Sequence, residues 1–401
     1  MTTVRPFRRG SLCFCFADAK GFSGQKAATE LVLNGLRRRG WDCQKLPQPV
    51  FDRAGGGLLA WIGYVARLLA AWMRSVRLLG GRGAWLWIGL GQTRFAFVRD
   101  GVPLLFGRLG LGRSRVVVAL NGSLFMQWPL DSLEARVFRF LLHHVGTVAV
   151  VGENQRARVQ AFGVSGLRVE VVVNSCELEI ASSAGVAAKQ QVAAPPHDAI
   201  RCLYLSSLID TKGFPEYLEA LLRLSKIDGP KIQAILCGQL VASEFSERFR
   251  DNPSAEEWIL RTIADINRGS RVCVSWINGA AGADKAALFR WAQIFVLPTR
   301  YPVEAQPLAL LEAMASGCAI ITTRAGEIST ILNDACAVLL SAPSTDVLAS
   351  GLQTLAADTV TRARLAFAAH ARFVEFYQVE RHLDQWETLL KFDDTTCKGA
   401  K

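Results

Sequence analysis

The chain has little of what a metal centre or a cross-linked fold requires. Only five histidines occur in 401 residues, and the adjacent His143 and His144 have no third ligand at a metal-binding spacing. Ten cysteines are present, but they show no metal-like grouping. Cys13 and Cys15 alternate along a strand-like run, which an interior strand face or simple surface placement explains better than zinc. No metal is implied, and a reducing cytosol is the expected compartment. Long uninterrupted apolar runs are missing too. No stretch reaches the roughly 18–20 residues that cross a bilayer. The opening MTTVRPFRRGSLCFCFADAKG has only a short apolar run before Asp18, so a cleaved signal peptide is not expected.

Acidic residues are scarce in one half only. Through residue 180 there are 24 Lys plus Arg against 11 Asp plus Glu, a net of +13, while the remainder is at −2. Such a basic surface attracts acidic membrane, an anionic acceptor or nucleic acid. Nothing resembles a nucleic-acid reading motif, so no nucleic-acid partner is expected. Leu58 to Leu90 is apolar, Trp-rich and interrupted by Arg67, Arg74, Arg77 and Arg82. Two readings stand. It forms one or two helices at a membrane interface with snorkelling arginines, or its apolar residues pack in a core while the arginines face water. The expected location is therefore cytoplasmic, with peripheral contact at the inner face of the membrane left open.

Half the residues are apolar, and the length suits two cores. Strands are expected over 11–17, 115–121, 147–152 and 168–174, with helical segments between them, one of them AATELVLNGLRRRG. The Ala-, Ser-, Gln- and Pro-rich stretch from about Glu179 to Asp198 is the best domain boundary, a linker without periodic pattern. Beyond it, strand-like RCLYLSSL, KIQAILCG, RVCVSW and QIFVLP alternate with helical FPEYLEALLRLSK, EEWILRTIADIN and KAALFRWA. That alternation argues for a parallel sheet covered on both faces. The expected division is 1–180, a linker over 181–198, 199–360, and helices over 361–401 that return to the first domain.

The richest stretch is LPTRYPVEAQPLALLEAMASGCAIITT, Leu297 to Thr323. It reads as a buried strand, a loop with Glu304, a helix opening at Pro307 and carrying Glu312, a turn at Gly317 and another buried strand. Gln306 is a candidate cap, and the amides around Gln306 to Leu308 form an anion site at a sheet edge. Two carboxylates beside an anion site suit a nucleotide-sugar. A loop Glu and a solvent-facing helix Glu remain the bland alternative.

The string EAQPLALLEAMASG resembles the signature of GT-B glycosyltransferases of the large retaining family 4. That signature has two glutamates flanking Gly-Gln-Pro-Leu and followed by Ala-Met-Ala-x-Gly; Ala305 stands where Gly is usual. The resemblance implies an α/β GT-B fold, two doubly wound Rossmann-like domains facing across a cleft. It implies that Glu304 approaches the donor sugar and Glu312 binds the nucleotide ribose. LSSLIDTKGFPEY is similar to the family's Gly-Arg-Leu…Lys-Gly motif, whose cations neutralise the donor diphosphate. Lys212 matches the Lys, whereas Ser207 occupies the Arg position. SWINGAAGADKAAL resembles the Trp-x-x-Gly…Lys segment, placing Gly279 near base or ribose and leaving Lys285 as a solvated helix residue. Gly21, Ser23 and Gly24 match the N-terminal glycine loop, and Asn121 and Gly122 a region of acceptor contact. TTRAGEIS keeps only Gly326 of the usual Gly-Gly turn, with Ala325 and Ser329 replacing Gly and Glu.

These matches imply a nucleotide-diphosphate-sugar donor rather than a cofactor, and a glycan or lipid-linked glycan acceptor. No general base is assigned, because in such enzymes the donor phosphate is thought to accept the acceptor proton. Two other classes stay open: a nucleotide-sugar or sugar-phosphate-processing enzyme on the same fold, and a non-catalytic scaffold.

Overall fold

The computed structural model describes residues 11–18, 24–50, 58–79, 84–191 and 199–396. The chain divides into two compact units, Met1–Ser175 with Val379–Lys401, and Cys176–Gln378. Each is a Rossmann-like domain, a six-stranded parallel sheet flanked by helices, and together they make up the GT-B α/β fold.

The first unit runs β1 (Ser11–Asp18), α1 (Gly24–Arg38), β2 (Asp42–Pro49), α2 (Leu58–Leu79), β3 (Trp85–Gly89) and α3 (Arg94–Leu111). It continues with β4 (Val116–Leu120), α4 (Leu133–Leu142), β5 (Thr147–Val150), α5 (Glu153–Ala161) and β6 (Arg168–Val171). The strand order is β2-β1-β3-β4-β5-β6. Alternate residues of each interior strand feed opposite cores. Cys13, Cys15, Leu86, Ile88 and Val118 pack with Phe97 and Phe138, whereas Leu12, Phe14, Trp87 and Val117 pack with Leu31 and Leu36. Burial on both faces is why these strands read as continuous apolar runs.

Two strands of this unit were not expected. β2 carries Pro47 and Pro49, which a ladder tolerates because β2 lies at the sheet edge. β3 falls inside the Trp-rich stretch, so that stretch is divided: its first part is α2, and Trp85 and Trp87 are core residues of a strand.

The second unit opens with α6 (Ser183–Gln190), inside the stretch expected as a linker, and then β7 (Ile200–Leu205). α6 is held largely by polar side-chain-to-backbone bonds rather than by an apolar repeat. Lys189 Nζ donates to Phe289 O (2.8 Å) and Ser316 O (2.6 Å), and Gln190 Nε2 to Gly317 O (2.8 Å). The unit continues with α7 (Phe214–Leu224), β8 (Ile232–Cys237), α8 (Asn252–Ile266), β9 (Val272–Ile277), α9 (Gly282–Trp291) and β10 (Ile294–Leu297). α10 (Leu308–Ala315), β11 (Ala319–Thr323), α11 (Ile328–Ile331), β12 (Val338–Leu340), α12 (Thr345–Ala357) and α13 (Thr359–Phe376) complete it. The strand order is β12-β11-β10-β7-β8-β9, so the order reverses between β7 and β10, the position where open α/β sheets bind ligands.

α13 packs against α6, α10 and β11 within the second unit; α14 (Val379–Thr396) belongs to the first. Leu383, Trp386, Leu389 and Leu390 of α14 enter the core beside α1. A Cβ at Gly35 would lie 2.5 Å from Leu383 Cδ2, so this glycine sets the approach of the two helices. Trp41 Nε1 donates to Glu387 (2.8 Å), Arg39 pairs with Asp384 (2.7 Å), and His382 Nδ1 donates to Val173 O (2.6 Å).

Candidate active site

The candidate residues of the second unit come from loops that follow strands and from the helix that one of these loops leads into, and so converge on one edge of its parallel sheet. After β7 the chain makes a 3₁₀ turn, Asp210–Lys212, and enters α7 through Gly213. Gly213 has φ +89°, and a Cβ there would lie 2.3 Å from Pro298 O, in the loop after β10. Only glycine meets both demands. The Arg300 amide then donates to Thr211 O (2.8 Å), fastening the two loops at the switch point.

That contact brings Lys212 Nζ to 3.4 Å from Glu304 Oε2 and 4.9 Å from the Tyr301 ring centroid. Thr299 Oγ1 also donates to Glu304 Oε2 (3.2 Å). Both members of the pair are largely buried. The two candidate catalytic residues, 92 positions apart in the sequence, therefore form one charge pair.

Two supports of Lys212 had no signal in the sequence. Tyr204, fully buried in β7, donates from its hydroxyl to Lys212 O (3.2 Å). The buried Asp210 carboxylate accepts the amides of Thr211 (2.7 Å) and Glu247 (2.8 Å), and also that of Arg248. It ties the loop after β8 to the turn carrying Lys212. A lone Asp before Thr-Lys-Gly cannot announce partners some 37 residues away.

α10 begins at Leu308, with Pro307 at the N-cap position (φ −63°, ψ 121°). The helix thus starts one residue later than expected, and Gln306, which is buried, is not its cap. Pro307 lacks an N–H, so the unpaired amides at this end belong to Leu308 and Ala309. Glu312 lies on the second turn of α10 and is buried. Burial pushes its carboxyl above the usual carboxylate range, and Lys285 pulls the other way. Lys285, expected as a solvated residue, donates from α9 to Glu312 Oε1. Burial pushes the neighbouring Cys176 thiol up to about 12, with Glu312 adding to the rise.

Gly326 has φ +55°, and a Cβ there would lie 2.2 Å from Glu304 O. Glu327 N donates to Ala305 O (3.0 Å). The turn after β11 thus backs the Glu304 loop, a positioning role its partial motif match did not reveal. Ala305 is itself buried. Ser329 is on α11, where its hydroxyl donates to Arg324 O (3.4 Å). Ser207 follows β7 and its carbonyl accepts Ile209 N (3.0 Å). Gly279 follows β9 with φ +84° and packs on Gln239.

In the first unit, Gly24 opens α1 with open space at its Cβ position; Gly21 and Ser23 lie outside the described residues. Asn121 and Gly122 follow β4, held by two buried glutamines that the sequence did not single out. Gln92 Nε2 and Gln155 Nε2 both donate to Gly122 O (2.9 and 3.1 Å), and Gln155 Oε1 accepts Val151 N (3.1 Å). Asn121 and Asn174 line a small cavity with His382, Trp87 and Trp386. His143 is the C-cap of α4, and His144 stacks edge-on against Phe140 at 4.9 Å. Among the described residues no His, Cys, Asp and Glu group could hold a metal ion.

Residues 187–372 match the family model described as glycosyl transferases group 1. That stretch is a little under half the chain and lies wholly in the second unit. No curated protein sequence matches the chain. Among solved structures it is similar to Anabaena HepE in complex with UDP and glucose, with TM-score 0.65 and 17% identity over 94% of this chain and 99% of that one. It is similar to sucrose-phosphate synthase from Thermosynechococcus elongatus, with TM-score 0.68 and 15% identity over 97% and 100%. An E. coli protein described as trehalose-6-phosphate bound with UDP-2-fluoro glucose gives TM-score 0.63 and 13% identity over 94% and 99%. At such identities the likeness is one of fold, and the fold is GT-B.

Proposed function

We propose that the protein is a retaining glycosyltransferase. It would move a sugar, in the simplest case a hexose, from a nucleotide-diphosphate-sugar to a glycan or lipid-linked glycan during surface polysaccharide assembly. The observation that carries this reading is the Lys212–Glu304 pair at the switch point, with the start of α10 and Glu312 in the same sheet-edge region. The segment match and the UDP-bound structures of similar fold support a nucleotide-sugar donor.

A departing diphosphate gains negative charge in the transition state. Lys212 and the Leu308 and Ala309 amides are the groups to stabilise it, since preorganised donors act most strongly where charge develops. Glu304 orients sugar hydroxyls and supports developing positive charge at the sugar ring. Glu312, paired with Lys285, accepts from ribose hydroxyls. Gln306 and Gly279 complete the donor pocket, and Gly24 belongs to the acceptor-side unit.

One observation favours a second reading, a non-catalytic scaffold. Ser207 supplies no cation where the family motif has Arg, and Lys212 already has Glu304 as a partner.

Calorimetry with UDP-, GDP-, ADP- and dTDP-sugars, on the wild type, Glu312→Ala and Lys212→Met, tests the proposal. One nucleotide should bind the wild type and bind Glu312→Ala about tenfold or more weakly. Lys212→Met should lower kcat for nucleotide release by roughly 10²–10³, the loss typical of one such donor. A folded wild type that binds none of the four would favour the scaffold.

A further inference from the structure

α2 carries an exposed apolar stripe that the fold leaves uncovered. Its inner stripe is settled by contacts: Leu68 and Ser75 are buried, and Trp72 Nε1 donates to Arg99 O of α3 (3.2 Å). On the outer side, Leu58, Ile62, Leu69, Met73 and Val76 recur at helical spacing within an arc of about 60° at 100° per residue. All five are exposed, Leu58 by 74%, and Leu59 at the arc's margin by 85%. Soluble surfaces carry single apolar side chains freely, but a contiguous stripe of this length marks a contact surface.

Charge says what covers it. α2 contains no Asp or Glu, and Arg67 and Arg74, seven residues apart and exposed, lie about 100–120° further round the helix than Met73, on the side of the stripe away from the buried residues. They belong to the strongly basic part of the chain. A second copy would bring the same arginines and the same net charge of +11 against them. An anionic lipid surface offers the opposite charge at headgroup depth and hydrocarbon just below, which suits a helix with an aliphatic stripe on one side and arginines further round toward the other. No helix among the described residues is long and apolar enough to cross a membrane, and the inner stripe of α2 is already packed.

We infer that the outer face of α2 docks the protein on an anionic phospholipid bilayer, the helix lying in the interface with its arginines at the headgroups. This goes beyond the proposed transfer reaction, and its test does not depend on it.

Full-chain protein would be sedimented with phosphatidylcholine vesicles, with and without phosphatidylglycerol. The wild type should pellet with the anionic vesicles, less so as salt rises. Arg67→Glu/Arg74→Glu should weaken partitioning at least about 25-fold, from a factor near five per arginine. Ile62→Glu/Leu69→Glu should abolish it while the melting curve stays cooperative, since both side chains are exposed. A wild type left in the supernatant with anionic vesicles overturns the inference. So does equal binding to pure phosphatidylcholine with no effect of the arginine reversals. A dimer in solution that Ile62→Glu/Leu69→Glu dissolves, without vesicle binding, would assign the face to a second copy instead.

Discussion

The two units share strand number and parallel sense, yet they hold the loops at their sheet edges by different means. In the second unit this region is held by paired charges, Lys212 with Glu304 between two loops and Lys285 with Glu312 between α9 and α10, in largely buried surroundings. In the first unit the loops after β4, β5 and β6 are fastened by neutral groups: Gln92, Gln155 and a buried imidazole, His382. Of the loops after β3 to β6, only that after β3 rests on a buried charge pair, Asp100 with Arg99, through the Gly91 amide (2.9 Å). A buried pair of charges is costly unless something uses it. Fully satisfied neutral amides are a cheaper way to hold a loop. On the proposed function, the charge pairs of the second unit would serve the donor, and the first unit would contribute shape and position.

Acid should separate the units most clearly. Burial lowers the His382 pKa from its ordinary 6.5 to about 4. Between those values the unfolded chain holds the extra proton, so stability falls as pH drops through this window, by roughly 3 kcal/mol. Thermal melts from pH 7 to pH 4 should show that loss, and His382→Gln, which keeps a donor for Val173 O, should flatten it. An unchanged slope in the variant would remove His382 from the account.

The second unit should respond in the opposite sense. Glu312 is raised, so the folded state holds more protons and stability falls as pH rises past the ordinary carboxylate range. Lys285→Met removes the compensating cation and should cost about 2 kcal/mol at neutral pH. That is below the roughly 3–5 kcal/mol of a fully buried pair, because Lys285 keeps some access to water. Acidification toward pH 5 should recover part of it. Lys285→Met/Glu312→Gln should restore the melting temperature without restoring donor affinity; recovery of both would make the pair purely structural.

A smaller effect probes the neutral side. Gln155→Leu strands the Val151 amide and leaves the Gly122 carbonyl with Gln92 alone, for about 1–2 kcal/mol. Its melting curve should shift equally at pH 5 and pH 8, because no titrating group is lost. A pH-dependent shift would show that a charge, not an amide, holds that loop.

Legibility followed the same division. The alternation of apolar strands with amphipathic helices in the second half reflects local burial on both sheet faces, so most elements there were readable. Pro307 to Gly317 announced its helix because cap, helix and exit are adjacent in sequence. β2 was not readable, since its prolines are permitted only by an edge position. α6 was not readable either, since polar bonds to distant backbone groups hold it. Lys285 looked like any helix-surface lysine until α9 was laid against α10.

The amino-acid order by itself determined the parallel α/β class, the Glu304–Glu312 stretch and the basic first half, because each depends on neighbours within a few turns of chain. Tertiary structure alone decided that Lys212 meets Glu304 and Lys285 meets Glu312, that Asp210 and Gly326 brace those loops, and that α2 keeps an apolar face uncovered. These depend on strand order, and strand order is set by which long crossovers bury the most surface, a sum over the whole unit that no local pattern contains.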